Sequence, residues 1–204
     1  MVYRGMPGDE KKVLIRIQAG IIRFNSSAAD ISVMFNIDIP FTVKKIPAKT
    51  VIGISRRTSN ADGRSTKDIP ATWTDFLQQN ANAKIKNRAL PPTMYAVYSD
   101  YESDWRGEYS YLIGCGVTRA GTVPEGLEKK TIPAQTYAVF TAKGRMPDEV
   151  LSVWSMVWLS DLPRRYTCDF EVYDKRFTNP NQKEVDICVA IDPKKMEQSQ
   201  QSAQ

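Results

Sequence analysis

Hydrophobic residues recur with a helical period in two segments of the chain. The first stripe, at i, i+4, i+7 and i+8, comprises Ile69, Trp73, Phe76 and Leu77. Asp68 can cap a helix there with Pro70 in its first turn, which predicts a helix that begins near residue 68. The second stripe, at i, i+3, i+4, i+7 and i+8, comprises Val150, Val153, Trp154, Val157 and Trp158. Pro147, Asp148 and Glu149 precede it and suit the positive end of a helix dipole, so a second amphipathic helix is predicted.

Segments with strand character surround both predicted helices. The stretch at 45–54, KIPAKTVIGI, returns at 131–140 as TIPAQTYAVF, an offset of 86 positions, and a strand is expected just after each proline. Each helix is then followed by two strand-like runs: Thr93 to Tyr98 with Glu108 to Val117, and Cys168 to Tyr173 with Glu184 to Ile191. The order strand, helix, strand, strand therefore occurs twice.

This order predicts an α+β fold made of a duplicated strand-helix-strand-strand module. Neither unit alone buries the apolar stripe of its helix well, so we expect one antiparallel sheet with two long helices on one face. A groove between the helices, floored by the sheet, is the expected concavity.

We expect three segments along the chain. Residues 41–192 form the domain, with repeat one at about 41–118 and repeat two at about 127–192. Residues 1–40 form an N-terminal extension with strand-like runs at 13–17 and 21–24. Met34 could begin a shorter product, which leaves open whether residues 1–33 belong to the native protein. Residues 193–204 are rich in Gln and Ser and are expected to be disordered.

The composition is that of a soluble globular protein, with 204 residues, 42% of them apolar and 25% charged. The longest uncharged apolar run, around residues 151–159, is far shorter than the roughly 20 residues that span a bilayer. Arg16 and Arg23 interrupt the N-terminal apolar stretch, which argues against a secretory signal. We therefore expect a cytoplasmic protein with no membrane association.

The chain contains no histidine. This excludes Ser-His-Asp and Cys-His catalysis, His-ligated haem and His-containing zinc or iron sites within the chain. Cys115, Cys168 and Cys188 show no CxxC spacing and are expected to be buried free thiols. We expect no metal, no cofactor and no catalytic residues of a recognisable type.

The net charge of +5 raises the question of nucleic-acid binding. The excess lies in the first 50 residues, which hold 8 Lys and Arg against 4 Asp and Glu. The main body has no basic stripe with interleaved aromatic residues, so direct nucleic-acid binding is not expected.

Several motifs together resemble the gyrase-inhibitor-like (GyrI-like) effector-binding domains, which also occur at the C-terminus of some AraC-type and multidrug-sensing transcription activators. The motifs are Asp68-Ile69-Pro70 with Trp73, YAVYSDYESD at 95–104, GEYSYLIG at 107–114, and DFEVYD at 169–174 with EVDI at 184–187. The resemblance covers roughly residues 41–192. It implies the duplicated fold and a groove for amphipathic, often cationic, small molecules, and its Phe-Glu-x-Tyr run implies an acid at the groove floor, Glu171. Residues 1–40 show no helix-turn-helix pattern, so the chain resembles the stand-alone form.

The predicted ligand-binding residues are one acid and seven aromatic residues: Glu171, Tyr173, Tyr98, Tyr111, Trp73, Phe140, Trp154 and Trp158. In a strand, Glu171 and Tyr173 share one face, and the matching residues of the first repeat are Ala96 and Tyr98. A carboxylate among aromatic rings would favour cationic ligands, since each desolvated ring attracts a cation by about 0.5 to 2 kcal/mol.

Structural readings of the same residues stay open. Trp154 and Trp158 could be core residues, and Glu171 could pair with Arg165 or Lys175. The acidic run at Asp100, Glu102 and Asp104 could be a solvated hairpin loop that carries Trp105.

The leading functional hypothesis is a module that binds an amphipathic, cationic small molecule and senses or sequesters it. One alternative, implied by some relatives, is a hydrolase of reactive, cyclopropanoid or alkylating molecules in which a desolvated Glu acts as general base. Another is a protein-binding inhibitor of the gyrase-inhibitor type that uses the groove or an edge strand. A homodimer also stays open.

Overall fold

The computed structural model describes residues 12–15 and 39–201. The strands are β1 (Lys12–Ile15), β2 (Ile39–Ile46), β3 (Lys49–Ser59), β4 (Met94–Ser99), β5 (Glu108–Val117), β6 (Glu128–Ile132), β7 (Gln135–Lys143), β8 (Cys168–Tyr173) and β9 (Glu184–Ala190). The helices are α1 (Ser65–Gln78), α2 (Ala81–Lys84), α3 (Asp148–Leu159) and α4 (Pro193–Gln201), with a 3-10 turn at Lys175–Thr178. The order strand, helix, strand, strand thus occurs twice, as β3-α1-β4-β5 and β7-α3-β8-β9, with α2 added after α1.

All strands in this part of the chain belong to one antiparallel sheet. Its order is β1-β2-β7-β9-β8-β4-β5-β3-β6. The pair β4 and β8, one strand from each unit, joins the two halves at the centre of the sheet. The predicted α+β fold with a joined antiparallel sheet is therefore confirmed.

A bent, two-stranded ribbon also links the halves. Strands β2 and β3 are interrupted only by Pro47 and Ala48, and β6 and β7 only by Pro133 and Ala134. Strand β2 pairs with β7 and β3 pairs with β6 in the same register, since Ile46 lies opposite Gln135 and Lys49 lies opposite Ile132. The repeated IPA motif is thus the bend of this ribbon, and each half supplies a strand to the other. Strands start after both prolines as predicted, but the sequence did not indicate the strands before them.

The two long helices pack on one face of the sheet, α1 against β3 and β5 and α3 against β7 and β9. The buried cluster on this face includes Phe76, Tyr98, Ile113, Trp154 and Ile187. The other face is also buried, in a separate cluster that includes Tyr95, Val97, Leu112, Tyr137 and Phe170. Alternate residues of the central strands therefore enter different cores, as the period of two requires.

Helix α1 departs from its prediction at both ends. It begins at Ser65, three residues before Asp68, because the carbonyls of Gly63 and Arg64 already accept the first helical hydrogen bonds. The Asp68 carboxylate accepts a hydrogen bond from the Thr58 hydroxyl (2.7 Å) and does not cap the helix. Near the other end, Leu77 belongs to the predicted apolar stripe but is 65% exposed.

The prediction that residues 193–204 are disordered is wrong for residues 193–201, which form α4. The Asp192 carboxylate accepts from the backbone N–H of Lys194 (3.0 Å), and Pro193 occupies the first helical position, so the helix has a capped start. Met196 packs half-buried against the helix-side core. Residues 202–204 lie outside the described part.

The N-terminal predictions are tested only in part. Strand β1 overlaps the predicted run at 13–17 and pairs with β2. The run at 21–24 and Met34 lie outside the described residues. No helix among residues 12–15 and 39–201 is long and apolar enough to cross a membrane.

Candidate functional site

A groove with a volume of about 490 Å³ lies between α1 and α3, a size common for small-molecule sites. One wall is formed by α1 and the other by α3, and Tyr98 and Tyr109 of the sheet form the floor. The lining residues are Asn60, Ser65, Thr66, Ile69, Pro70, Tyr98, Tyr101, Trp105, Tyr109, Pro147, Leu151, Trp154, Ser155, Trp158 and Arg164. The groove expected between the helices is present, and its lining is mainly aromatic and apolar.

Glu171 lies directly beneath this groove, 2% exposed and covered by two of its lining residues. Oε1 accepts a hydrogen bond from the Tyr98 hydroxyl and another from Trp154 Nε1, both at 2.7 Å. Oε2 accepts one from the Tyr173 hydroxyl at 2.6 Å. Three donors thus hold the carboxylate in one orientation, and two of them present their rings to the groove.

The electrostatics at Glu171 are those of a buried acid without a basic partner. Burial raises the pKa of Glu171 above its usual range, and the hydrogen bonds from Tyr173, Trp154 and Tyr98 oppose the rise. Burial and the neighbouring carboxylate also raise the pKa of Tyr98 well above its usual value. None of the described salt bridges involves Glu171, so neither Arg165 nor Lys175 pairs with it.

The site lies at the approximate two-fold axis that relates the two strand-helix-strand-strand units. Ala96 and Glu171, the matching residues of the two units, are direct partners in the β4 and β8 pair. The matching tyrosines, Tyr98 and Tyr173, therefore approach one carboxylate from both sides. The helices follow the same relation, because Trp154 packs on Tyr98 (ring centroids 4.9 Å apart) and Trp73 packs on Tyr173 (5.0 Å).

A second buried acid, Asp169, lies on the same face of β8 and is fully paired. Its Oδ2 accepts from Arg164 Nη2 (2.7 Å) and from the Tyr101 hydroxyl (2.8 Å). Its Oδ1 accepts from the backbone N–H of Ala190 (2.7 Å). Among the buried side chains near the groove, the positive charge of Arg164 offsets the negative charge of Asp169. The carboxylate of Glu171 has no such basic partner.

The loop between β4 and β5 covers one end of the groove. Trp105 from this loop stacks on Trp158 of α3, with ring centroids 5.4 Å apart and planes inclined by 12°. Tyr101 packs on Tyr109 in the floor (5.6 Å). The reading of this loop as a simply solvated hairpin therefore needs correction, since two of its aromatic residues face the groove.

The structure divides the predicted ligand-binding residues into three groups. Tyr98, Trp154 and Trp158 line the groove, with Glu171 immediately beneath them. Tyr173 and Trp73 lie on the other side of Glu171, and Tyr173 lines a different cavity. The remaining two are core residues that do not line the groove: Tyr111 packs beneath Tyr98, and Phe140 packs on Phe41 (5.1 Å) in the helix-side core.

Sequence reasoning selected only Tyr98, Trp154 and Trp158 among the groove residues. It missed, among others, three aromatic residues and one basic residue of the lining: Tyr101, Trp105, Tyr109 and Arg164. A tryptophan within an acidic loop was a usable signal, since large apolar residues are uncommon in solvated loops. Arg164 gave no such signal, because it adjoins Arg165 and only the fold distinguishes the buried arginine from the exposed one.

The remaining chemistry of the described residues is limited. Cys115, Cys168 and Cys188 are buried and free, as predicted. Burial raises the pKa of all three thiols. Within residues 12–15 and 39–201, no group of three or more His, Cys, Asp or Glu residues could hold a metal ion.

Comparison with known proteins gives a consistent set of relatives. Residues 42–191 match the Cass2 family, described as integron-associated effector binding proteins. The candidate transcriptional regulator YobU of Bacillus subtilis is 33% identical over 153 residues, which are 73% of this chain and 96% of YobU. The transcriptional regulator BrlR of Pseudomonas aeruginosa is 30% identical over 71% of this chain, and the match spans 53% of BrlR.

The fold also occurs in solved structures of other proteins. The integron cassette protein VCH_CASS2 of Vibrio cholerae is 29% identical with a TM-score of 0.58, over 73% of this chain and 95% of that one. SAV2435, solved bound to tetraphenylphosphonium, is 18% identical with a TM-score of 0.62, over 74% of this chain and 93% of that one. At that identity the second comparison concerns the fold alone.

Proposed function

The chain belongs to the family of integron-associated effector-binding proteins, and we propose that it binds an amphipathic, cationic small molecule in the groove between α1 and α3. Binding would serve to sense the molecule or to sequester it. The observation that carries the proposal is the buried carboxylate of Glu171, which has no basic partner and lies beneath an aromatic groove.

Glu171 would act on a ligand through Tyr98 and Trp154. The Tyr98 hydroxyl and Trp154 Nε1–H donate to the carboxylate, and both residues line the groove. The negative charge would therefore raise the electron density of the two rings that face the bound molecule. A cation on such a face gains about 0.5 to 2 kcal/mol per ring, and Coulomb attraction to the desolvated carboxylate adds to this. The carboxylate and the electron-rich ring faces would instead repel an anion in the groove.

The relatives support the class of ligand. SAV2435, which shares the fold, was solved with the lipophilic cation tetraphenylphosphonium. YobU and BrlR carry the names of transcriptional regulators, which accords with a sensing role for a shared effector-binding domain.

The geometry favours binding over hydrolysis. A general base must reach a water molecule beside the substrate, within about 3 Å of the proton that it removes. Both oxygens of Glu171 already accept hydrogen bonds from Tyr98, Trp154 and Tyr173, and the side chain does not line the groove. The hydrolase alternative would therefore need a rearrangement of these three donors.

The direct test compares two ions of nearly equal shape and opposite charge, tetraphenylphosphonium and tetraphenylborate, by calorimetry and by quenching of tryptophan fluorescence. We expect the cation to bind and the anion to bind far more weakly. Glu171→Gln should weaken cation binding about ten- to a hundredfold, the equivalent of about 1.5 to 3 kcal/mol for a lost charged interaction.

Glu125→Gln is the matched control, because it removes the same charge at an exposed position that does not line the groove. It should leave the affinity for the cation unchanged. The proposal is contradicted if neither ion binds, or if Glu171→Gln and Glu125→Gln bind the cation as well as the parent protein does.

A further inference from the structure

The groove lies above an acid, but none of the described residues that line it is an aspartate or a glutamate. Glu171 lies beneath the lining and is 2% exposed. Its Oε1 accepts from Tyr98 and Trp154, and its Oε2 accepts from Tyr173. A cation in the groove is therefore attracted by the charge of Glu171 across the rings, but it cannot donate a hydrogen bond to the carboxylate while these three donors stay in place.

The hydroxyl groups of the two helical walls are engaged within the protein. The Thr66 hydroxyl of α1 donates to the Gly63 carbonyl at 2.7 Å. The Ser155 hydroxyl of α3 donates to the Leu151 carbonyl at 2.9 Å. A hydroxyl that donates in this way can still accept a hydrogen bond, but it is neutral, and hydrogen bonds to neutral acceptors are about half as strong as those to a carboxylate.

The polar groups beneath the loop between β4 and β5 are engaged in the same way. Asn60 Nδ2 donates to the Trp105 carbonyl (2.9 Å), and Asn60 Oδ1 accepts from the Tyr109 hydroxyl (2.8 Å). The Tyr101 hydroxyl donates to Asp169 (2.8 Å). Among the described residues, the groove therefore offers a ligand ring faces and neutral acceptors, but no charged acceptor.

Such a surface suits some cations better than others. A protonated amine is a compact, strongly hydrated ion, and each N–H that leaves water without an equivalent acceptor carries a desolvation penalty. A quaternary ammonium or phosphonium ion has no N–H to satisfy and binds to ring faces through its charge and its apolar surface. Glu171 attracts both kinds of ion, so the difference between them arises from the missing acceptor.

We propose that the groove selects cations without N–H groups, such as quaternary ammonium and phosphonium ions, over protonated amines with the same charge and carbon framework. This inference rests on the proposed function and narrows its ligand class. The selectivity arises because the acid lies beneath Tyr98 and Trp154, where it supplies negative charge to the groove but no hydrogen-bond acceptor.

Two ions with one carbon framework test the inference. They are trimethyl(3,3-diphenylpropyl)ammonium and 3,3-diphenylpropylamine, which is protonated at pH 7. By calorimetry, the parent protein should bind the quaternary ion about tenfold or more tightly than the protonated amine. The three methyl groups also add apolar surface, so a variant that supplies the missing acceptor is needed to identify the cause.

Ser155→Glu places a carboxylate at an exposed position of α3 that lines the groove, and Thr66→Glu does so from α1. Only the amine can donate to the new carboxylate, so each variant should reduce the preference for the quaternary ion about tenfold or more. Ser152→Glu is the matched control, because it adds the same charge to α3 at an exposed position that does not line the groove. It should keep the preference of the parent protein.

The outcomes separate the two proposals. Failure of the parent protein to bind tetraphenylphosphonium and both diphenylpropyl ions would overturn the proposed function itself. Three results would overturn only the selection against N–H groups. The first is a parent protein that binds tetraphenylphosphonium but not the quaternary diphenylpropyl ion, and the second is one that binds the amine as tightly as the quaternary ion. The third is a preference that stays unchanged in both Ser155→Glu and Thr66→Glu.

Discussion

Two tyrosines from equivalent positions, Tyr98 and Tyr173, donate to the two oxygens of one carboxylate. Only Tyr98 also lines the groove. The two tyrosines therefore differ in their surroundings, since Tyr98 both holds the acid and lines the groove whereas Tyr173 only holds the acid. The pKa of Glu171 is raised by burial and moderated by these bonds.

Cation binding should depend on pH through Glu171. Because the pKa of its carboxyl is raised, affinity for tetraphenylphosphonium should be weak at low pH and increase as the pH rises through that pKa. The contribution of Glu171 to the free energy of unfolding changes with pH in the opposite direction. The folded chain holds this proton more tightly than the unfolded chain, in which the pKa of the carboxyl is about 4.3. This contribution therefore falls as the pH rises from about 4.3 through the pKa of the folded state. Calorimetric titrations and thermal unfolding across this range measure both effects, and Glu171→Gln should abolish both.

Tyr173→Phe should raise the midpoint of that binding profile by roughly one to two pH units, because it removes a hydrogen bond worth about 1.5 to 3 kcal/mol to the ionised carboxylate. At pH values above the new midpoint the affinity should return to that of the parent, since Tyr173 does not line the groove. A loss of affinity at every pH would show instead that Tyr173 contacts the ligand or maintains the fold.

Several of the individual residues of the site could be predicted from the sequence. Glu171, Tyr98 and Trp154 were expected at the groove, and the structure brings them together. Arg164 could not be predicted, because its burial depends on a long-range contact with Asp169 and on the position of the segment before β8. Phe140 was expected in the groove because a residue on the helix-facing side of the sheet can lie in the groove or under a helix, and local pattern does not distinguish these places.

At the scale of secondary-structure elements, the helices show the same limit of prediction from the sequence. Phe76 and Leu77 are neighbours in the apolar stripe of α1, but Phe76 is 1% exposed and Leu77 is 65% exposed. The stripe of an amphipathic helix is wider than the surface that the sheet covers, so periodicity identifies the helix better than it identifies its core residues. The bounds of β5 and β8, by contrast, agree with the sequence prediction because turn residues mark their ends.

The two positions make a matched pair for stability. Phe76→Ala should lower the free energy of unfolding by about 3 to 5 kcal/mol, the usual loss for a buried phenylalanine. Leu77→Ala should change it by no more than about 0.5 kcal/mol, since little of the side chain is buried. Urea denaturation of both variants measures the difference, and equal losses would contradict the assigned orientation of α1.

The loop of residues 100–107 should contribute to affinity through Trp105. Trp105→Ala removes the ring stacked on Trp158 and should weaken tetraphenylphosphonium binding about two- to twelvefold, the equivalent of about 0.5 to 1.5 kcal/mol for an aromatic pair. Trp105→Phe keeps a ring at that position and should recover most of the loss. Equal affinity of the alanine and phenylalanine variants would mean that the loop does not contact the ligand.

At the scale of the whole molecule, the bent ribbon makes the two halves interdependent. Strand β2 of the first half pairs with β7 of the second, and β6 of the second half pairs with β3 of the first. The sequence repeat indicated two similar units, but it did not indicate that each unit completes the sheet of the other. Pairing between distant segments leaves no local pattern, which is why this feature could be read only from the structure.

Separated halves should therefore fail to fold alone. Peptides comprising residues 1–120 and 121–204 should each lack a cooperative thermal transition, whereas an equimolar mixture should recover the circular dichroism spectrum and the transition of the intact chain. A half that unfolds cooperatively as a monomer would contradict the interdependence of the two sheets.

The pairing of Ala96 with Glu171 on the local two-fold relation limits the kind of assembly that can hold a single acid there. In an assembly of two identical chains, the same residue would face itself across this axis, and an acid there would meet a second acid at van der Waals range, where both cannot stay ionised in a dry interior. One continuous chain has no such restriction, because its two units can differ in sequence. A lone anionic group at the centre of a near-symmetric cradle is thus compatible with two different units in one chain and not with two identical subunits.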